Sequence, residues 1–280
     1  MEICETEEVF LGDLWREKCK KYVHSDVYID INLFNLQYLE DEIKDVHLKD
    51  YILVRGKLVV KIKVREGSPN RIRKLTSGNC RATGYAWCTD KQEIIIYTNK
   101  HVVFDDFEAE KTELTFSFDG KNFTAFGTKL RECRDNKDLV CLEVRTSDSE
   151  LHKFIGDFTD EAANIWDDIS VNVKEAFKKY AVVISHPHGL QKVVSIGKLI
   201  SLEEEEEYLE LTPGESSATD TASRHPQQHL HKPLRKVTRY DAATCPGSSG
   251  APVLTGFYPH RPFTHSSHNR ELDLNFCMSY

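Results

Sequence analysis

No stretch of the chain approaches the ~18 consecutive apolar residues that a membrane helix requires. Its most apolar runs, LVVKIKV (58–64) and EIIIYT (93–98), are soon interrupted by charge. An export signal is missing too, since the opening MEICETEEVF carries four acids and no basic, apolar signal pattern. Secretion is therefore not indicated, and an intracellular chain, in the cytoplasm or nucleus, is expected. Positive charge is not in surplus: 45 acidic against 37 basic side chains leave a net charge of −8. That argues against broad binding to nucleic acid phosphates, so neither nucleic acid nor membrane is an expected partner. Eight cysteines are present but no CxxC pair, which excludes a zinc knuckle or a thioredoxin-like redox site. Without an export signal, and among apolar residues such as LVCLEV (139–144), they read as buried reduced thiols.

The 280 residues are 40% hydrophobic, enough for one domain of two lobes or for two small domains, and too apolar for a disordered chain. Residues 1–50 mix apolar and charged side chains at helix-like spacing, as in DLWREKCKKYV (13–23) and LFNLQYLEDEI (33–43). They predict an N-terminal helical extension. From 51 to 148 the character is β, with strand candidates at 52–65, 81–88, 93–98, 113–118, 122–127 and 138–144. Residues 149–180 read as a helical connector, with Ile165, Trp166, Ile169, Val173 and Phe177 near a 3.6 period. β character returns over 181–280, with candidates at 181–187, 192–201, 207–211, 235–242, 251–254 and 271–278. One polar loop, 212–233, interrupts this second set. Two β clusters of similar size suggest two barrels of one architecture.

Three short segments could carry chemistry. TNKHVV (98–103) sets His101 after a strand of isoleucines, DNKDLVCLEV (135–144) sets Asp138 at the head of another, and CPGSSGAPV (245–253) sets Ser249 in a turn of small residues. A serine hydroxyl is a weak nucleophile at neutral pH and needs an imidazole to take its proton. A carboxylate must hold that imidazole in one tautomer. The developing oxyanion needs inward-facing backbone N–H groups, which Gly247 and Ser249 in a Gly-x-Ser-Gly turn can supply. Each segment alone is ordinary; their joint order, with His and Asp in the first β cluster and Ser in the second, is specific.

These segments resemble the trypsin/chymotrypsin-like serine peptidases, in motif style most like the HtrA-like, disulfide-poor intracellular branch. TNKHVV is similar to TNxHVV, DLVCLEV to DLAVLxV and GSSGAPV to GNSGGPV; ATGYAW (82–87) and SHPHGLQKVVSIGKLIS (185–201) resemble strands of the two barrels. The match spans roughly residues 79–254. The resemblance implies a mainly β fold of two six-stranded antiparallel barrels and a serine endopeptidase acting on protein or peptide substrates without a cofactor. His101 would be general base, Asp138 its orienting carboxylate and Ser249 the nucleophile, with Ser248 the rival. Ala243 stands where trypsin-like members carry the acid that selects Lys or Arg, so an apolar or small substrate side chain is expected. PFTHSSHN (262–269) is a candidate strand along the substrate cleft, with His265 and Ser266 near the specificity pocket. From another class, a protease-fold binding module that no longer cleaves would have no chemical reason to keep all three residues. A metal site at His225, His229 and His231, or at His186 and His188, is not expected, because nothing nearby orients the imidazoles.

Overall fold

The computed structural model describes residues 24–70, 80–89, 93–134, 138–205, 235–259, 262–269 and 274–278. The helix expected at 13–23, the strand at 207–211, the polar loop 212–233 and its three histidines lie outside the described residues. In chain order the elements are α1 (His24–Val27), β1 (Ile29–Asp30), α2 (Val46–Lys57), β2 (Val59–Val64), β3 (Cys80–Cys88) and β4 (Ile94–Thr98). There follow α3 (Asp106–Glu110), β5 (Thr112–Phe118), β6 (Lys121–Arg134), β7 (Leu139–Arg145), α4 (Ser149–Asp168) and α5 (Val171–Phe177). The chain ends in β8 (Tyr180–Ser185), β9 (Val193–Glu205), β10 (Arg235–Tyr240), β11 (Pro252–Leu254), β12 (Phe263–Asn269) and β13 (Leu274–Met278).

Strands β2, β3, β4, β7, β6 and β5 close into one antiparallel barrel. The second set runs β9, β10, β13, β12, β11, β8, and the β8–β9 hairpin closes it into another six-stranded barrel. β1 adds a short extra strand to β9, pairing Ile29 with Val194. Closure leaves no open edge in either ring, so the connecting turns are free to carry chemistry. This is the chymotrypsin-like double barrel.

Strand β8 shows how the two layers share one core. All six of its residues are buried. Ala181 and Val183 face the second barrel's interior with Tyr240, Val253 and Phe263, whereas Val182 and Ile184 join the larger core under the helices. Helix α4 buries Leu151, Ile155, Phe158, Ala162 and Trp166, a stripe at helical spacing, and its Phe154 and Phe158 meet Phe118 and Phe123 of the first barrel. Trp166, Ile169 and Phe177 are buried as their period predicts, and Ile165 and Val173 pack at the margin.

Two local expectations change. The run 52–65 reads as one strand, but the chain is helical to Lys57 and extended only from Val59, so the boundary expected at 50/51 falls inside α2. Asp45 caps this helix by accepting from Leu48 N at 2.9 Å, and Tyr51 and Ile52 are wholly buried. Tyr51 OH and Arg55 Nη2 both donate to Pro259 O, at 2.6 and 2.5 Å, which ties α2 to the second barrel. The segment 33–43 forms short 3-10 turns, Leu36–Tyr38 and Asp41–Ile43, rather than a continuous helix. The described cysteines Cys80, Cys88, Cys141, Cys245 and Cys277 are free thiols.

Lys192, just before β9, is buried and joins three parts of the fold. Its ammonium donates to Gly56 O at the end of α2 (2.7 Å) and to Ser117 O of β5 (3.0 Å). Burial pushes its pKa down to about 7. Between that value and the lysine's ordinary range the unfolded chain keeps a proton that the folded chain has shed, so stability rises with pH across this window. Urea unfolding at pH 7 and pH 9 should show the wild type gaining roughly 1 kcal/mol per pH unit relative to Lys192→Met; equal slopes for the two would show that Lys192 keeps its proton when buried.

Candidate active site

The turn after β4 is shaped by Asn99, whose carbonyl accepts from Val102 N and Val103 N at 3.1 Å. Its side-chain amide donates to Asp138 O at 2.9 Å, pinning this turn to the head of β7. Asp138 holds a left-handed backbone, φ 46°, which swings its carboxylate toward His101. There Oδ1 accepts from His101 N at 2.9 Å and Oδ2 lies 2.7 Å from His101 Nδ1. The hydroxyl of Ser266, on β12, donates to the same Oδ2 at 2.7 Å. The two side chains are 19% and 13% exposed, so the pair is largely screened from water.

Burial alone would raise the pKa of Asp138. The charge and hydrogen bonds of His101, with Ser266, outweigh that and hold the carboxyl below its ordinary range. An ionised carboxylate accepts a hydrogen bond from Nδ1–H, so the ring keeps its proton on Nδ1 and the buried Nε2 is its basic atom.

Ser249 lies in the turn between β10 and β11, 5% exposed. Its carbonyl accepts from Thr83 N of β3 at 3.0 Å, and the next residue's N–H donates to His265 O at 2.9 Å. These bonds set the turn between the barrels, beside the strand that carries Ser266 to Asp138. Gly250 has φ 84°, and a Cβ there would run into Thr83 O and Thr98 Oγ1. The rival Ser248 is wholly buried with its hydroxyl on Ser185 Oγ, 3.1 Å away, inside the second barrel.

The peptide joining Pro246 to Gly247 has a fixed direction. Its carbonyl accepts from His188 N, and no cis peptide is present among the described residues. In a trans peptide N–H and C=O point oppositely, so the Gly247 N–H faces away from His188. Gly247 itself sits at φ 97°, and an added Cβ would lie 2.5 Å from His186 O. Its own carbonyl is taken by Thr83 Oγ1 at 2.6 Å, and the same hydroxyl accepts from His186 N at 3.0 Å. Thr83 and Asn99 therefore build the site; both lie in motifs quoted above, ATGYAW and TNKHVV, but neither carries a role there. Their partners lie far along the chain, which no local motif can show.

The remaining pocket candidates separate. Ala243 is buried, and its carbonyl accepts from Ser195 Oγ at 2.7 Å. Ser266 donates its hydroxyl to Asp138 Oδ2. His265 is buried, with Nδ1 2.7 Å from Tyr240 OH. His186 Nδ1 bonds Leu190 O at 2.9 Å, and burial, aided by the charge of Lys192, pushes its pKa down to about 3. It is thus a neutral structural residue of the β8–β9 turn. No cluster able to hold a metal ion occurs among the described residues, and no described helix is long and apolar enough to cross a membrane.

No family model and no curated protein matches the chain. Its fold is similar to those of solved serine proteases, the HtrA type among them. The active form of the Rv3671c protease from M. tuberculosis is 15% identical, with a TM-score of 0.45, over 84% of this chain and 82% of that one. The HtrA-type protease AlgW, solved with a tripeptide, is 11% identical, with a TM-score of 0.45, over 84% of this chain and 60% of its own.

The Thr83 hydroxyl gives a test of how the turn is held. Thr83→Val keeps the shape but leaves the Gly247 carbonyl and the His186 N–H unbonded, and should cost about 1–3 kcal/mol in urea unfolding. Thr83→Ser should cost less than half of that. Equal losses in both variants would assign the effect to packing of the methyl group.

Proposed function

We propose that the chain is a serine endopeptidase. The observation that carries this is the Asp138 carboxylate, held by the ring and backbone of His101 from the first barrel and by the Ser266 hydroxyl from the second. A carboxylate kept ionised against its own burial is what an imidazole base requires of its partner. Protein or peptide is the substrate class, and the chemistry calls on no cofactor.

In this mechanism Ser249 Oγ attacks the scissile carbonyl while its proton passes to His101 Nε2. The new C–O bond pushes the carbonyl electrons onto oxygen, and the oxyanion rests against the N–H groups of Gly247 and Ser249. Asp138 steadies the imidazolium without taking its proton. The imidazolium then protonates the leaving amine as the C–N bond breaks, leaving an acyl-serine. Water, deprotonated by the same imidazole, attacks the ester, and the proton returns to Oγ as the acid departs. Gly247 presents its amide because His188 anchors the carbonyl of the same peptide, so the donor is oriented before substrate arrives.

A fluorophosphonate probe should label the folded wild-type chain and leave Ser249→Ala unlabelled. Turnover should fall ~10⁶-fold in Ser249→Ala and ~10⁴-fold in Asp138→Asn, where the imidazole is held in the wrong tautomer. Absence of labelling in folded protein, or equal labelling of Ser249→Ala, would favour a binding module that uses the protease fold.

A further inference from the structure

The chain is acidic overall, with a net charge of −8, yet one strip of its surface is positive and unneutralised. In β2 the side chains of Val60, Ile62 and Val64 are wholly buried inside the first barrel, which puts Lys61 and Lys63 on its outer face. Lys61 stands directly opposite Thr83 of β3, and Lys63 opposite Arg81. Residues so paired share a face, and like charges paired in this way destabilise a sheet. The three cations are partly exposed, and none has an ion pair or hydrogen bond among the described residues. Across the other flank of Lys63 stands Glu113 of β5, whose carboxylate is engaged by the Arg65 guanidinium. Burial and the charge of Arg81 push the pKa of Lys61 down, so the cations are close enough to repel one another. An anion from outside would relieve that crowding.

The strip adjoins the Ser249 turn. Thr83 donates from Oγ1 to Gly247 O at 2.6 Å and from its N–H to Ser249 O at 3.0 Å. Strand geometry sets the Cα atoms of Lys61 and Arg81 about 5 and 7 Å from that of Thr83. The Arg81 side chain runs along the β8–β9 turn, where a Cβ on Gly189 would lie 2.5 Å from Arg81 Cδ. The charge of Lys61 reaches that turn too, and together with burial and Lys192 it keeps His186 neutral. The peptide joining Ser249 to Gly250 fixes the sides of the site. Its carbonyl is bonded to β3 and its N–H to His265 O of β12, and in a trans peptide these two groups point oppositely. Strand β12 therefore borders the turn on one side, and β3 with its cations on the other.

We propose that Lys61, Lys63 and Arg81 make the chain select substrates with glutamate or aspartate in the part of the peptide that lies on the β3 side of Ser249. This deepens the serine endopeptidase reading above and rests on it. Carboxylates meet the guanidinium and ammonium groups in charge-assisted hydrogen bonds, whereas a lysine or arginine there adds to the crowding. The strip is short, with three cations on two neighbouring strands and Glu113 closing one flank. Duplex nucleic acid, with a charge every ~1.7 Å, needs a longer basic track, and the net charge of −8 opposes it. An acidic peptide needs only a few carboxylates within reach of the strip.

The test uses three fluorescent peptides of one length that carry three Glu, three Gln or three Lys on an otherwise neutral sequence. Binding is read with the full Ser249→Ala chain, so that no peptide is consumed. The Glu peptide should bind about 10-fold more tightly than the Gln peptide, with the Lys peptide weakest. Salt raised from about 0.05 to 0.5 M should remove most of that advantage. Arg81→Gln combined with Lys63→Gln should bring Glu to the level of Gln, whereas Lys63→Arg should keep the advantage. The Glu peptide should also slow fluorophosphonate labelling of wild-type Ser249, and lose this effect in the double variant. Equal binding of the Glu and Gln peptides, or binding that leaves labelling unslowed, overturns the proposal while the serine nucleophile stands. So does single-stranded DNA that binds as tightly as the Glu peptide and loses its hold in the double variant, which marks a general polyanion strip. A folded wild-type chain that is not labelled removes the endopeptidase reading and this inference with it.

Discussion

One buried carboxylate connects the parts of this structure that matter for chemistry. Asp138 receives the His101 ring, the His101 backbone and the Ser266 hydroxyl, so a single side chain ties the first barrel's two loops to the second barrel's β12. Burial alone would push its pKa up. Its ionised state is maintained by the partners whose positions it fixes, and charge and geometry here support each other. The left-handed backbone at Asp138 belongs to the same device. An extended backbone at the head of β7 would aim the carboxylate along the strand's alternation, whereas φ 46° turns it to the neighbouring loop.

The three candidate residues stand out in the sequence because the chemistry proposed for them demands local patterns. His101 follows a run of isoleucines, Asp138 precedes an apolar strand, and Ser249 sits among small residues that permit φ of 97° and 84° at the flanking glycines. The double barrel was legible for a similar reason, since each strand is a short β-branched run between turn residues. Helix α2 was not. Ile52–Val54 and Leu58–Val60 carry strand-like side chains, and what makes the first part helical is the Asp45 cap together with burial of Tyr51 and Ile52 against distant elements. Tertiary packing overrides propensity there.

Thr83 illustrates a different limit. Its hydroxyl serves Gly247 and His186, 164 and 103 residues away. A threonine in a strand is ordinary, and only the fold reveals that this one holds a carbonyl of the Ser249 turn. Ser266 is a similar case: nothing in the sequence signals that its hydroxyl is committed to Asp138. Local chemistry is written in motifs, whereas the groups that orient it come from wherever the topology brings a short polar side chain.

That distinction explains where buried polarity sits. Around the Ser249 turn the buried polarity consists of short hydroxyls: Thr83, Thr98, Ser185 and Ser248 are wholly buried. Each is short and bonded to a backbone or hydroxyl partner within 3.5 Å. An apolar seam would hold two barrels together equally well, yet would tolerate sliding, because hydrophobic contact has no direction. The Thr83 hydroxyl crosses the seam, bonding Gly247 O and His186 N of the second barrel, and a hydroxyl that loses its partner in a dry seam costs about 1–3 kcal/mol, so these bonds penalise a shift of the barrels. Gly247 and Ser249 lie on the second barrel's side of this seam and His101 on the first barrel's. Their alignment therefore depends less on the strength with which the barrels adhere than on the number of directional bonds that a sliding motion would break.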